Sequence, residues 1–411
     1  MEDEVLYLDY AATAPVSNIV SRNYYDAINI FGNPASFHKE GEKAYQAIEK
    51  SKLNILQCLN HNEDWNILFT SGATESINTI FYSFNPELII TTDLEHHAVK
   101  AASSACVVSN GITRWIQINL FDIITNTPTY LDGILISYTR ILISIIAVNN
   151  ETGLIIPVDK VLSAKEYVHS KFPDAEIVVH LDFTQGFCKI PYDMTDIDCY
   201  SFSAHKIGFF KSFGGLIYKK GIVEKYIQKN PLIKGGMQQN GLRSGTENPT
   251  FVYLLNKLIE DHMNNLNNNY TKAQIIKTAF YQIIPEIVNK YNKAVELLFT
   301  SKNTDEYSPY IINFSILGIE GESLVSALGN KICISTGSAC SEENLSGSEV
   351  IKNYYKNLGV QSEDILDTYA NSAVRISYDS SLTINQIVED FQPTFDEAVK
   401  NLAKASTYKK D

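Results

Sequence analysis

The chain has 411 residues, of which 45% are hydrophobic and 20% are charged, and its formal net charge is −13. The length favours two domains, and the composition is typical of a globular protein with an apolar core. The acidic balance argues against direct binding of nucleic acid, because a phosphate backbone needs a basic face. No run of residues approaches the ~18 apolar positions of a membrane span, so no membrane contact is expected.

The N-terminus reads MEDEVLYLDY, which is acidic and lacks the basic and then apolar order of a signal peptide. The six cysteines are sparse and form no CxxC pair. Neither a disulfide framework nor a metal site such as a zinc centre is therefore expected, and a cytoplasmic protein is predicted.

Short β-branched apolar runs alternate with helical patterns in the first part of the chain. Strands are predicted at 66–70, 88–92, 142–148, 176–182 and 215–218. Helices are predicted around them, for example at 44–58 and 159–170. This alternation predicts an α/β fold with a parallel sheet, in which ligands bind at the carboxyl ends of the strands.

The pattern changes after Asn248-Pro249. Helical character extends through 273–298, and the asparagine-rich segment 264–270 fits either a helix break or a loop. Strands are predicted at 310–316 and 332–335, with a closing helix at 384–402. We interpret this part as a smaller α+β domain. The predicted boundaries are 1–16 for an N-terminal segment packing with the small domain, 17–258 for the large domain and 259–411 for the small one.

The stretch from Ser71 to Glu75, SGATE, follows a predicted strand and precedes a predicted helix. Its small residues let the backbone approach an anion, and a helix N-terminus offers N–H groups and the positive end of the helix dipole. The segment therefore fits a phosphate site. It also fits a tight strand-to-helix turn in which Thr74 caps the helix.

Asp182 ends an apolar strand, where a carboxylate is costly to bury without a cationic partner. In one interpretation, the Asp182 carboxylate pairs with a bound cation. In the other, Asp182 is a helix N-cap, and Gln185, three residues later, is its capping-box partner.

The segment SFSAHK places Ser203, His205 and Lys206 at the end of a strand. A lone lysine there usually extends to solvent, but a desolvated amine can form a Schiff base. Together with the phosphate-type loop and the upstream Asp182, these residues are the parts of a pyridoxal phosphate site.

Cys340 lies in STGSACSEE, a small, polar stretch that follows a predicted strand. A thiol exposed there supplies a small but highly nucleophilic thiolate fraction at neutral pH. The alternative is an incidental surface cysteine. Cys333, within the apolar strand, is interpreted as a core residue.

Eleven motifs occur in an order that resembles the cysteine desulfurases of the class V aminotransferase family: YLDYAATAPV, GNPASFHKEG, FTSGATES, EHHAV, VNNETG, HLDFTQ, SFSAHK, RSGTEN, EGESL, STGSAC and SAVRIS. The STGSAC form is similar to the class I, NifS-like and IscS-like, branch. The resemblance implies a pyridoxal-phosphate-dependent transferase of fold type I. Its large domain has a mainly parallel seven-stranded sheet between helices, and its small α+β domain carries the catalytic cysteine loop. After SAVRIS this chain reads YDSS, where the family has a glycine and a second arginine.

For the cofactor, the resemblance implies that Lys206 binds it covalently, Asp182 pairs with the ring nitrogen and Gln185 bonds the ring hydroxyl. His96 would stack on the ring and assist proton transfers. The implied phosphate-binding residues are Ala73, Thr74, Ser203 and His205, joined by Thr246 from the other protomer of a homodimer.

For the substrate, the resemblance implies that Asn150 and Arg375 hold the carboxylate of L-cysteine and that Cys340 takes the sulfur. The products are L-alanine and a persulfide, which passes to an acceptor protein near the Cys340 loop. That acceptor would serve iron–sulfur cluster assembly, tRNA thiolation or DNA phosphorothioation. The alternatives are an ordinary aminotransferase, a selenocysteine lyase and a non-catalytic scaffold of a sulfur pathway.

Overall fold

The computed structural model describes residues 5–124, 131, 134, 136–329, 331–336 and 347–408. Two compact units make up the chain. The large unit comprises Ala14–Ala147 and Ile156–Leu266. The small unit comprises the described residues of Met1–Thr13, Val148–Ile155 and Asn267–Asp411.

The strands are named in chain order. They are β1 Leu6–Tyr7, β2 Trp65–Thr70, β3 Leu88–Thr92, β4 Arg114–Ile118, β5 Arg140–Ile146, β6 Glu176–Asp182, β7 Cys199–Ser203, β8 Gly214–Lys219, β9 Glu296–Phe299, β10 Ile311–Leu317, β11 Ile332–Cys333 and β12 Ala373–Ser377.

The helices follow the same convention. They are α1 Asn18–Ile28, α2 Lys39–Cys58, α3 Ala73–Phe84, α4 His97–Asn110, α5 Leu120–Ile124, α6 Val158–Lys171, α7 Ile222–Lys229, α8 Pro249–Asn264, α9 Leu266–Asn289, α10 Gly321–Leu328, α11 Glu349–Asn357, α12 Glu363–Asn371, α13 Ile384–Gln386 and α14 Gln392–Ala403. A π-helical turn, Ile387–Phe391, joins the last two.

The large unit is built on a seven-stranded sheet in the order β2-β8-β7-β6-β5-β3-β4. Only β8 runs antiparallel to its neighbours in this sheet. The strands β3, β5 and β6 are rich in β-branched residues and buried, as expected when helices cover both faces. The predicted α/β fold with a mainly parallel sheet is confirmed.

The large unit buries a core between the sheet and α3. The side chains of Ile77 and Phe81 on α3 pack with Leu142, Val178 and Tyr218 of three strands, and all are at most 1% exposed. This core fixes α3 on the sheet, and so fixes where the N-terminus of α3 points.

The small unit contains an antiparallel sheet in the order β12-β10-β9 and a parallel pair of β1 with β11. Isolated bridges join Asp9 to Ser377 and Ser335 to Arg375. The unit is therefore α+β, with Arg375 in its central region.

Most predicted elements of both units are confirmed, and the differences lie at their ends. The strand predicted at 142–148 ends at Ile146, and the next residues belong to the small unit from Val148 onward. The helix predicted through 273–298 is wrong at its end, because α9 stops at Asn289 and β9 follows. Within the asparagine-rich segment 264–270, the helix breaks only at Asn265, between α8 and α9. Across the described ranges, no helix has the length and apolar character needed to cross a membrane.

Candidate active site

The carboxyl edge of the large unit's sheet brings together residues predicted to bind a cofactor. Asp182 ends β6 and Ser203 ends the parallel strand β7. His96 stands just before α4, in the connection that follows β3. Parallel strands end at one edge of a sheet, and this is where α/β proteins bind ligands.

The predicted phosphate loop joins β2 to α3 and contains an uncapped helix N-terminus. Gly72 has a φ of +148° and provides no side-chain cap for α3. The Ser203 hydroxyl accepts the Ala73 N–H at 2.8 Å. A Cβ on Gly72 would stand 3.2 Å from the Ser203 Oγ, so glycine keeps the space beside this hydroxyl open. Thr74 is exposed in the first turn of α3.

An ion pair that the sequence pattern does not predict lies at the start of α3. Glu75 accepts the Ser71 N–H at 2.7 Å and the Arg243 Nε–H at 2.9 Å. Burial pushes the pKa of Glu75 upward, but the bonds from Arg243 and Ser71 outweigh burial and lower it below its usual value. Arg243 and Thr246 belong to one motif, RSGTEN, so the pair ties the start of that loop to α3. Thr246 itself is exposed.

Asp182 is held at the end of its strand by Thr184. Its side chain is buried, and Oδ1 accepts the Thr184 N–H at 3.1 Å and the Thr184 hydroxyl at 2.5 Å. Turns follow Asp182 rather than a helix, so the helix-cap interpretation is wrong. Gln185 is buried nearby in sequence, and its Oε1 accepts Lys189 Nζ at 3.2 Å. A fixed, buried carboxylate of this kind suits a cationic ring nitrogen.

His96, Asp182 and Lys206 lie close enough to act on one another electrostatically. Burial lowers the pKa of His96, the negative charge of Asp182 opposes this, and the positive charge of Lys206 adds to it. The His96 Nδ1 accepts the Ala98 N–H at 3.1 Å and so caps α4. Because Nδ1 is an acceptor, the neutral ring carries its proton on Nε2.

Lys206 is half-buried in a short 3-10 turn, Ala204–Ile207, that follows β7. The turn ends at Gly208, whose φ of +87° favours glycine. Burial lowers the pKa of the neighbouring His205 to about 4, and the charge of Lys206 adds to this effect. His205 is therefore neutral at pH 7 and can act as a hydrogen-bond donor to an anion.

Glu95, beside His96, is another site residue that the sequence pattern does not reveal. It is 1% exposed, and its Oε1 accepts the Thr92 hydroxyl at 2.6 Å and the Ile146 N–H at 2.9 Å. Its Oε2 has no partner within the described part of the chain. Burial raises the pKa of Glu95 to about 8, and the charge of Asp182 adds to the rise. Glu95 is thus mostly a neutral acid at pH 7.

These residues fit pyridoxal phosphate, on the chemistry of the donor set. Lys206 supplies an amine, and Asp182 supplies a buried carboxylate for the ring nitrogen. The α3 N-terminus, the Ser203 hydroxyl and the open cradle at Gly72 suit the phosphate. Small residues and an uncapped helix at this point would otherwise have no evident purpose.

In the small unit, Arg375 has two partners. The guanidinium, which is 5% exposed, donates from Nη2 to Asp9 Oδ1 at 2.8 Å and from Nη1 to the Asn150 carbonyl at 2.9 Å. The structure therefore brings Arg375 and Asn150 together, through the backbone of Asn150. Asp9 was missed as a site residue, although it lies in the motif YLDYAATAPV.

Cys340 lies outside the described residues, which stop at Thr336 and resume at Gly347. Both described flanks are anchored in the small unit. The Ser335 N–H bonds the Arg375 carbonyl at 3.2 Å, and the Ser348 hydroxyl donates to the Glu151 carboxylate. The other candidate thiol, Cys333, is half-buried in β11 and pairs with Tyr7 of β1.

Known proteins match this chain along most of its length. The sequence model of the family "Aminotransferase class-V" matches residues 6–388. A cysteine desulfurase IscS of Buchnera aphidicola subsp. Baizongia pistaciae is 33% identical over 405 residues, which cover 93% of this chain and 90% of that protein. A NifS/IcsS protein homolog of Lactobacillus delbrueckii subsp. bulgaricus is 30% identical, covering 97% of this chain and 98% of that protein.

Two solved structures share the fold. One is described as a NifS-like protein, with 26% identity, a TM-score of 0.74 and coverage of 98% of this chain and 99% of that one. A NifS-like protein from Rickettsia africae, at 24% identity, shows the same fold with a TM-score of 0.75 and coverage of 98% and 100%. The chain belongs to the aminotransferase class-V family, among its pyridoxal-phosphate-dependent cysteine desulfurases.

Proposed function

We propose that this chain removes sulfur from L-cysteine, releases L-alanine and carries the sulfur as a persulfide on Cys340. One observation carries the proposal. Half-buried Lys206 and buried Asp182 lie close enough to His96 to shift its pKa in opposite directions, at one edge of a sheet and beside a helix N-terminus that suits a phosphate. The curated relatives of this chain are named for the same activity.

The large unit holds the cofactor in this proposal. Bound pyridoxal phosphate is an electron sink that weakens the bonds around the α-carbon of an attached amino acid. Lys206 anchors it and then takes the α-proton of the substrate as a general base. Neutral His96 carries its proton on Nε2 and can donate a hydrogen bond from it. Asp182 would pair with the ring nitrogen, and Gln185 would bond the ring hydroxyl.

The phosphate is bound by neutral donors rather than by a cluster of cations. These are the backbone and hydroxyl groups of the α3 N-terminus and the β7 end, together with a neutral imidazole: Ala73, Thr74, Ser203 and His205. The N-terminal end of the helix dipole adds a favourable field for the anion. Thr246 of the partner subunit completes the set.

Arg375 binds the substrate carboxylate, with Asn150 beside it. A guanidinium can form two parallel hydrogen bonds to a carboxylate, which gives both affinity and orientation. Asp9 holds the guanidinium through an ion pair. The substrate carboxylate would then replace or share that ion pair.

The sulfur step uses the Cys340 thiolate as the nucleophile. It attacks the sulfur of bound cysteine, so that an S–S bond forms as the Cβ–S bond breaks. The electron pair of the broken bond stays with Cβ, which takes up a proton and becomes a methyl group, and Lys206 returns the α-proton to Cα to give L-alanine. Cys340 is five residues beyond Ser335 in sequence, and Ser335 pairs with Arg375.

A homodimer would complete the site. The large unit exposes several large apolar side chains around the GNPASFH segment, and Thr246 is exposed as well. Phe31 is 73% exposed, Phe37 is fully exposed, Tyr45 is 53% exposed and Met237 is 78% exposed. Tyr45 and Met237 also line a cavity of about 300 Å³ with Asn33, Pro34 and Ala35. Apolar surface of this kind is typical of a protein interface, and a second copy of the chain suits it.

The persulfide would pass to an acceptor protein that docks near the Cys340 segment. We place the reaction in the cytoplasm, because the nucleophile must be a reduced thiol and thiols stay reduced there. The five described cysteines are likewise free thiols.

The decisive experiment compares Cys340→Ser with Cys333→Ser as a matched cysteine control. Cys340→Ser should bind the cofactor and change its absorbance when L-cysteine is added, yet release almost no alanine, because a serine hydroxyl supplies no anion at neutral pH. Cys333→Ser should retain the activity. Normal alanine release by Cys340→Ser, or loss of activity only in Cys333→Ser, would refute the proposed nucleophile.

A further inference from the structure

The small unit buries a cluster of polar atoms without hydrogen-bond partners among the residues that the structure describes. They are both amide atoms of Asn313, the Ser335 hydroxyl and the Arg375 Nε. Asn313 is fully buried, and Ser335 and Arg375 are 6% and 5% exposed. Folded proteins pair nearly all such atoms with protein, water or a ligand. Four orphaned atoms in one cluster therefore mark a place that binds something further.

These three residues are neighbours across adjoining strands. Arg375 on β12 pairs with Asn313 on β10, and on its other side it pairs with Ser335. Arg375 exchanges both backbone hydrogen bonds with Ser335, at 2.7 and 3.2 Å. Its pairing with Asn313 is therefore the closer, non-hydrogen-bonded kind. Side chains directly opposite in antiparallel strands share a face, so the Asn313 amide lies beside the Arg375 side chain.

Among the described residues, the Arg375 guanidinium is hydrogen-bonded only through its two terminal nitrogens, Nη1 and Nη2. Nη1 and Nη2 have acceptors in the Asn150 carbonyl and Asp9, whereas Nε has none among the described residues. A guanidinium forms two parallel hydrogen bonds to a carboxylate only when its plane is held in the right orientation. The Asn313 amide oxygen is the kind of acceptor that the Nε–H needs.

We propose that Asn313 is a positioning residue for the substrate carboxylate. Its amide oxygen accepts the Arg375 Nε–H, either directly after a small rotation or through one buried water that also contacts Ser335. This bond fixes the guanidinium plane, and through it the α-carboxylate of cysteine. The inference rests on the proposed role of Arg375 in binding that carboxylate.

A purely structural asparagine would behave differently when replaced. Its amide would be hydrogen-bonded within the fold, and leucine in its place would lower the melting temperature. In this proposal the Asn313 amide has one partner, the Arg375 Nε–H, reached directly or through a water, so leucine in its place removes only that bond and should lower the melting temperature only slightly. Asn313→Leu should therefore lose substrate affinity with only a small loss of thermal stability.

The test titrates cofactor-loaded protein with two ligands and follows the absorbance of the cofactor. Every protein carries Cys340→Ser, which prevents turnover. Asn313→Leu should weaken binding of L-cysteine by about ten-fold or more, since an oriented charged hydrogen bond is lost. Binding of cysteamine, which lacks a carboxylate, should not change. Asn313→Ser, whose hydroxyl can still hold a water, should show a smaller loss.

Two further variants separate this inference from the proposed function. Arg375→Ala should weaken binding of L-cysteine, and adding Asn313→Leu to it should have no further effect, because the two residues act as one unit. Ser315→Ala is the matched control. It lies two residues along β10 and loses a hydroxyl that donates to the Tyr369 carbonyl at 2.9 Å, and its cysteine binding should stay normal.

The outcomes are distinct. If Arg375→Ala leaves cysteine binding unchanged, the role of Arg375 fails and this inference fails with it. If Arg375→Ala weakens binding but Asn313→Leu does not, only the inference is overturned. It is also overturned if Asn313→Leu weakens the binding of L-cysteine and of cysteamine equally.

Discussion

Glu75 and Arg243 join the start of α3 to the RSGTEN loop, with the Arg243 Nε 2.9 Å from the Glu75 Oε1. The side chains are 9% and 27% exposed, respectively. The pair connects the two motifs, FTSGATES and RSGTEN, from which the phosphate-binding residues were predicted. It therefore ties the α3 end of one proposed phosphate site to the loop whose Thr246 is proposed to reach the partner subunit's site.

Arg243→Ala should weaken retention of the cofactor and lower the free energy of unfolding by ~2 kcal/mol, because it leaves the Glu75 carboxylate largely buried and unpaired. Dialysis followed by cofactor absorbance measures the first effect, and urea unfolding measures the second. Lys225→Ala is the control, since it breaks an exposed ion pair with Glu176 in the same unit. Equal cofactor loss in both variants would show that the Glu75 contact has no special role.

Glu95→Gln should remove a pH dependence of stability. The folded pKa of Glu95 is raised to about 8 from 4.5, so the folded protein binds the proton more tightly than the unfolded chain. Its stabilising contribution is complete below pH 4.5 and is lost as the pH rises towards and through 8. Glutamine stays neutral throughout, so the variant should lose less stability between pH 5 and 9. Melting temperatures across this range provide the measurement, and parallel curves for both proteins would contradict the prediction.

Asp9→Asn should lower the KM for L-cysteine by a few-fold while reducing stability. Asparagine keeps an oxygen acceptor for the Arg375 Nη2 but removes the negative charge that competes with the substrate carboxylate. The free energy of unfolding should fall by ~1–3 kcal/mol, because the buried guanidinium loses its counter-ion. Asp9→Ala, which also removes the acceptor, should raise the KM instead. A higher KM in both variants would mean that the charge of Asp9 is needed for binding.

Mixed dimers test whether Thr246 acts on the partner subunit's site. A Lys206→Ala protomer paired with a Thr246→Ala protomer should contain one intact site, so a random mixture should recover about a quarter of wild-type activity. The control mixes wild type with a chain that carries both substitutions, whose hybrid dimers have no intact site. Activity that never exceeds the sum of the two parent proteins would argue against a shared site.

Local pattern was enough to predict most of the fold. The β-branched runs of β3 and β6 were predicted with the observed limits, because a buried parallel strand reads as a continuous apolar run. The position of Asp182 at a strand end followed from that prediction, and that of Ser203 followed from the strand expected within SFSAHK. The end of α9 was missed although the polar stretch NKYNK, 289–293, separates the apolar pattern of α9 from that of β9, and such a stretch is a signal for a turn.

The sequence by itself determined the chemical parts: the amine of Lys206, the carboxylate of Asp182 and the motif order that identifies the family. Only the tertiary structure decided their partners. Arg375 meets Asp9 from 366 positions away, and Arg243 meets Glu75 from 168 positions away. It also decided that Asn313 lies beside Arg375. Such contacts depend on which strands pair and in which register, and a single sequence carries this information only through the free energy of the whole packed chain.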